Sequence, residues 1–197
     1  MTRLILASAS KARREMLSNV GLVFESIPAD IDENRVIHDD DGLSPADKAK
    51  KLAFEKARAV AADHTGALVI GSDQILMHEE KILQKAPDKA AALEKLKALR
   101  GDWHELISAV SVVQDEKELW SAVERASLKM ADLDDAALDA YADKAGPGLT
   151  ACVGAYELEG PGAALFDKID GDYFTILGMP LLPLLTYLRV RHNIRPF

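Results

Sequence analysis

A single aspartate interrupts an apolar run, ALVIGSDQILM, at residues 67–77. The β-branched and hydrophobic neighbours read as buried strand, where an isolated carboxylate is costly unless a cation or several hydrogen-bond donors meet it. Any fold of this chain must therefore bring a partner to Asp73. Gly71 and Ser72 let the backbone bend or a ligand approach, so the run is expected as a buried strand pair interrupted at residues 71–74. HEEK, immediately after, reads as a hairpin turn. In that setting Asp73 can ligate Mg²⁺ through oxygen, act as a general base, or be tied to neighbouring N–H groups at a turn.

Two cations stand where a partner would come from. LILASASKARREML, at 4–17, reads as a strand over 3–7 that meets Ser8 and Ser10 and enters a helix over 11–20, an arrangement that can hold an anion. Arg13 shares its helical stripe with Met16, Leu17 and Val20, so it projects inward and needs an anionic partner, a structural carboxylate or a stem that snorkels out. In SPADKAKKLAFEKARAV, Ser44 caps a helix with Pro45 first and Asp47 completing the capping box, reaching His64. Its apolar stripe of Leu52, Ala53, Ala57, Val60 and Ala61 contains Lys56, which is either snorkelling or lining a cleft; Lys48, Lys51 and Arg58 fall on a solvated face.

The extended segment ADIDEN places Asp30 and Asp32 on one side and Glu33 on the other, either grouped for a metal ion or forming a solvated acidic turn. Asp39–Asp41 reads as solvated turn. Lys85, at the end of the hairpin that leaves Asp73, can return toward the same cleft. Beyond it, the sequence predicts a helix over 88–99, two antiparallel strands over 103–114 and 118–130, and a helix from Asp134 to Lys144. A strand, a hairpin centred on Asp170-Gly171 and a last helix over 180–191 complete the chain. Gly101 in RGDWHEL reads as a helix stop, and His104, without a second histidine at metal spacing, as structural.

The charge balance of −8 disfavours a nucleic-acid polymer as partner but allows a small anion in a local basic pocket. Cys152 is the sole cysteine, which excludes an intrachain disulfide and a cysteine-based metal site and suggests a buried, inert thiol. The longest apolar segment, near 181–188, is far shorter than the roughly 20 residues of a spanning helix, so no membrane segment is expected. With no recognisable leader, the expected location is the cytoplasm.

Taken in order, LILASASKARREML, ADIDE, FEKA, VIGSDQIL, LQKA, GAYELEG and DGDYFTILGMPL resemble the Maf family of nucleoside triphosphate pyrophosphatases over nearly the whole chain. The resemblance implies one α/β domain over 1–197, an elongated central mixed sheet flanked by helices, with a cleft between two lobes. It implies hydrolysis between the α and β phosphates with a divalent cation, Mg²⁺ or Mn²⁺, and a homodimer. By position, it implies Asp73, Lys56 and Lys85 as catalytic, and Ser8, Ser10, Arg13, Arg14, Gln74 and Glu159 as substrate-binding. Glu33 and Asp73 are the implied metal ligands. SDQ with Glu159 resembles the subfamily associated with 7-methyl-GTP, whereas Lys11, Ala12 and Ala86 depart from the family pattern, which commonly has proline and then a bulky or basic residue at the first two and usually proline at the last. A second function the resemblance admits is a nucleotide-binding regulator of septum formation with little turnover, and a sugar-nucleotide or diphosphate hydrolase is a third.

Overall fold

The computed structural model describes residues 2–38, 42–195 and 197; Asp39–Asp41 lie outside them. The elements are β1 (Leu4–Leu6), α1 (Lys11–Asn19), β2 (Glu25–Ser26), α2 (Glu33–His38), α3 (Pro45–Ala61), β3 (Leu68–His78), β4 (Lys81–Leu83), α4 (Lys89–Leu99), β5 (Trp103–Gln114), β6 (Lys117–Met130), α5 (Asp135–Ala145), α6 (Gly148–Ala151), β7 (Phe166–Asp170), α7 (Tyr173–Ile176) and α8 (Leu181–His192). A short 3₁₀ turn, Pro161–Leu165, precedes β7. The strands form a mixed sheet in the order β2-β1-β3-β5-β6-β7, with β4 on β3. Strand β1 runs parallel to β2 and β3, while β4 and β7 pair antiparallel with β3 and β6.

Local chemistry sets the boundaries. Ser10, Ser44, Asp88, Asp134 and Asp172 each accept a hydrogen bond from the backbone N–H three residues on, the N-cap geometry that satisfies an otherwise orphaned donor. Glu79-Glu80 and Asp115-Glu116 adopt φ of 47–63°, the left-handed backbone that a two-residue hairpin loop requires at both central positions. Gly101, at φ +70°, stops α4 as expected.

The chain forms two compact units: residues 1–74, 107–124 and 178–197 in the first, 75–106 and 125–177 in the second. In the first, Ile5, Ala7, Ala57, Val60, Ala61, Val69 and Val113 make one buried cluster between strand and helix α3. In the second, Leu96 and Leu99 of α4 pack with Leu106, Leu128, Met130, Leu138 and Tyr156.

Four readings change. The run at 67–77 is one continuous strand, β3, rather than an interrupted pair. Gly71 serves close approach instead of a bend, because a Cβ there would stand 2.0 Å from the Ala53 carbonyl oxygen of α3. The segment 30–33 does not alternate as strand. Asp32 accepts the Arg35 N–H at 3.0 Å and starts α2, which makes Glu33 its first helical residue. No hairpin forms at Asp170-Gly171: β7 pairs back onto β6, and Gly171 passes so near Ala126 that a Cβ would meet its side chain at 2.6 Å. The expected strand around Cys152 is instead α6 followed by turns, which leaves the thiol half-buried instead of buried.

Candidate active site

The α3 stripe is buried as its spacing requires, and Lys56 is buried with it at 9% exposure. Gly71 lets α3 lie directly on β3, and this contact brings Lys56 against Asp73, itself 7% exposed. The Lys56 ammonium donates to Asp73 Oδ1 at 2.5 Å and pairs with Glu33 Oε1, from the first turn of α2, at 2.8 Å. Three elements thus converge on one ammonium. The lysine neither snorkels nor lies on the solvated face; Arg58 does lie there, paired with Glu55 at 2.8 Å.

Arg13 does turn inward from α1, and two bonds from its guanidinium run to main-chain carbonyls. Nε donates to Gly178 O at 2.9 Å and Nη1 to Ser72 O at 2.8 Å, one residue before Asp73. Ser72 Oγ, fully buried, lies 2.9 Å from the same Gly178 oxygen and 2.8 Å from Ala109 O. Sequence reasoning missed Gly178. Its φ is +104° and a Cβ would lie 3.3 Å from Arg13 Nη2, so a side chain there would be strained and would crowd the guanidinium. The available signal was a glycine two residues before the proline that leads into the last helix.

Burial pushes the Asp73 carboxyl above its ordinary range; Lys56 first and Arg13 second pull against that rise, without reversing it. A carboxylate raised toward neutrality is better matched to accepting a proton than an ordinary aspartate. The ammonium between two carboxylates offers three N–H groups to any anion that displaces one of them.

The remaining predicted positions distribute as follows. Ser8 is buried and its Oγ accepts the Ser10 N–H at 3.1 Å, while Ser10 caps α1 by accepting from Arg13 N. Arg14 donates to Ala9 O at 2.6 Å, closing the same turn. Gln74 donates to Ser108 Oγ at 3.0 Å. All of these belong to the first unit; Lys85 and Glu159, both exposed, belong to the second. His104 is structural as expected: its Nε2 lies 2.7 Å from Tyr156 Oη and its ring is flanked by Tyr156 and Phe166, with burial lowering its pKa to about 4.

Glu33 and Asp73 supply hard carboxylate oxygens on either side of one ammonium. Mg²⁺ characteristically uses one or two carboxylates and completes its shell with phosphate oxygens and water, so this donor set fits such an ion when a polyphosphate is present.

The family model for the Maf-like protein matches residues 3–191. A relative from Bradyrhizobium diazoefficiens named nucleoside triphosphate pyrophosphatase is 49% identical over 186 residues, 94% of this chain and 92% of its own length. Nucleoside triphosphate pyrophosphatase 1 of Jannaschia sp. is 44% identical over the full length of both chains. A 7-methyl-GTP pyrophosphatase of Rhizobium meliloti is 46% identical over 94% of each chain. Among solved structures, a HAM1 protein from Coxiella burnetii aligns with a TM-score of 0.47 at 18% identity, covering 68% of this chain and 75% of that one. The family match thus embraces Arg13, Glu33, Lys56, Asp73, Lys85 and Glu159 together, and the chain belongs to the Maf family.

Proposed function

We propose that the chain is a nucleoside triphosphate pyrophosphatase that cleaves between the α and β phosphates, releasing monophosphate and pyrophosphate. The observation that carries this reading is the buried Lys56 ammonium held between Asp73 and Glu33, with the Arg13 guanidinium anchored one residue from Asp73. A triphosphate carries about four negative charges near neutrality and needs fixed cations to leave water for a protein site. Arg13 and Lys56 bind its oxygens, Ser8, Ser10, Arg14 and Gln74 line the substrate, and Lys85 is assigned to the triphosphate on family likeness.

Asp73 takes the proton of the attacking water as the new oxygen–phosphorus bond forms at the α phosphate and the bridging oxygen departs with pyrophosphate. Lys56 holds the carboxylate in place and offsets charge building on the phosphate oxygens. A divalent cation, Mg²⁺ or Mn²⁺, would be held by Glu33 and Asp73 and would neutralise phosphate charge when bound. A preference for 7-methyl-GTP and a homodimeric state are proposed on family likeness, and a cytoplasmic setting is proposed with them. Glu159 suits that base, because a carboxylate favours the cationic methylated ring over a neutral one.

The test is product analysis with purified protein, Mg²⁺ or Mn²⁺, and canonical, deoxy and methylated triphosphates. Pyrophosphate with monophosphate is the expected product pair. Orthophosphate with diphosphate would refute the bond assignment, and tight nucleotide binding without release would favour the regulatory function.

A further inference from the structure

Lys95 of α4 is partly buried, and its ammonium makes two bonds to main-chain carbonyls outside its own helix. It donates to the Val153 carbonyl oxygen at 2.8 Å and to that of Gln84. Burial lowers its pKa, the response of an ammonium drawn out of water, and two main-chain oxygens are the acceptors set around it. Leu96 and Leu99 already anchor α4 in the second unit's core, so helix docking alone does not call for a desolvated charge here.

The two acceptors sit in telling places. Gln84 immediately precedes Lys85, and Ala86 immediately follows it at 6% exposure. The exposed Lys85 side chain therefore springs from a backbone fixed on one side by Lys95 and on the other by the core. Val153 opens the GAYELEG loop that carries Glu159. Within that loop Ala155 is fully buried at φ +60°, a left-handed conformation that a non-glycine residue holds only when its surroundings impose it. Its carbonyl oxygen accepts the Tyr141 hydroxyl at 3.1 Å.

We propose that Lys95 is a positioning residue: its ammonium ties the segment bearing Lys85 to the loop bearing Glu159, fixing both for the substrate. This rests on the proposed pyrophosphatase reading for the roles of Lys85 and Glu159, but the tie itself can be read without turnover. Lys95→Met keeps the apolar stem and removes the donors.

In Lys95→Met, amide hydrogen exchange at 84–86 and 153–156 is expected to quicken while α4 and the melting temperature stay near wild type. The value of kcat/KM is expected to fall by about tenfold or more, within the range that small misplacements of positioned groups produce. In a Lys85→Ala background the same substitution is expected to lower kcat/KM much less, because part of what Lys95 positions has gone. Unchanged exchange at both segments would overturn the tie. Quickened exchange with wild-type kcat/KM, or an equal loss in both backgrounds, would overturn the positioning role through Lys85. A wild-type protein that releases no pyrophosphate would refute the functional reading instead, and the exchange experiment would still decide the tie.

Discussion

Replacing Gly71 with alanine tests how the site is built. The added Cβ would stand 2.0 Å from Ala53 O, 2.8 Å from Ala57 N and 2.9 Å from Ala57 Cβ, whereas ordinary contact begins at 3.4 Å. Helix backbone cannot rotate aside, so α3 must retreat from β3 by more than an ångström at its nearest point. Lys56 lies between Ala53 and Ala57 and moves with them. Overpacking of this kind costs about 1–3 kcal/mol, and with rigid atoms on both sides we expect about 3 kcal/mol. For a chain of this size that corresponds to a melting temperature lower by roughly 6–12 °C. Misplacing the ammonium by about 1 Å should also reduce kcat/KM by roughly 100-fold. At an uncrowded strand position glycine to alanine would instead stabilise, by about 0.5–1 kcal/mol, so even the sign is informative. Thermal denaturation and pyrophosphate release measured on the same preparation check both effects. A variant with unaltered or higher melting temperature and wild-type kcat/KM would refute the reasoning.

Three further outcomes are expected. Lys56→Met leaves the Asp73 carboxylate buried without its ammonium and should cost about 3–5 kcal/mol at neutral pH in urea unfolding. Because burial already raises Asp73, the loss should shrink as pH falls and the carboxyl takes up a proton; a loss independent of pH would count against the pairing. His104, lowered from 6.5 to about 4, binds fewer protons folded than unfolded between those values, so its stabilisation is present above pH 6.5 and lost as pH falls toward 4. That amounts to about 3 kcal/mol, and His104→Gln should flatten the difference between unfolding curves at pH 7 and pH 4.5. Glu159→Gln should narrow the kcat/KM preference for 7-methyl-GTP over GTP by about tenfold, the equivalent of roughly 1.4 kcal/mol of carboxylate–cation attraction; an unchanged ratio would remove Glu159 from base selection.

Periodicity made the long helices legible because caps and stripes are local: Ser44, Pro45 and Asp47 announce α3, and the stripe through Leu52 and Val60 carries Lys56 inward wherever the helix docks. The need of Asp73 for a partner was equally plain, since burying a charge is costly in any fold. What the sequence did not reveal was which contacts meet it. Gly71 looks alike whether a strand bends or a helix presses on it, and only the packed structure distinguishes the two. Glu33 was assigned to a strand by alternation, yet Asp32 can cap a helix as readily as it can alternate, and tertiary contact decided the matter. Gly178 gave the weakest signal of all, because its carbonyl has meaning only beside Arg13, which is 165 residues distant in the chain. The end of the chain misled for a related reason: Asp170-Gly171 has hairpin chemistry, but Asp172 competes as a helix cap and wins.

The central claim is that Asp73 performs the chemistry in a site where Arg13 and Lys56 bind the triphosphate oxygens. Pyrophosphate release by Asp73→Asn, measured beside calorimetric binding of a non-hydrolysable triphosphate analogue, tests it most directly. At least about 100-fold lower kcat is expected, the low end for loss of a general base, with the fold and metal-free analogue binding retained. Wild-type turnover in that variant would contradict it.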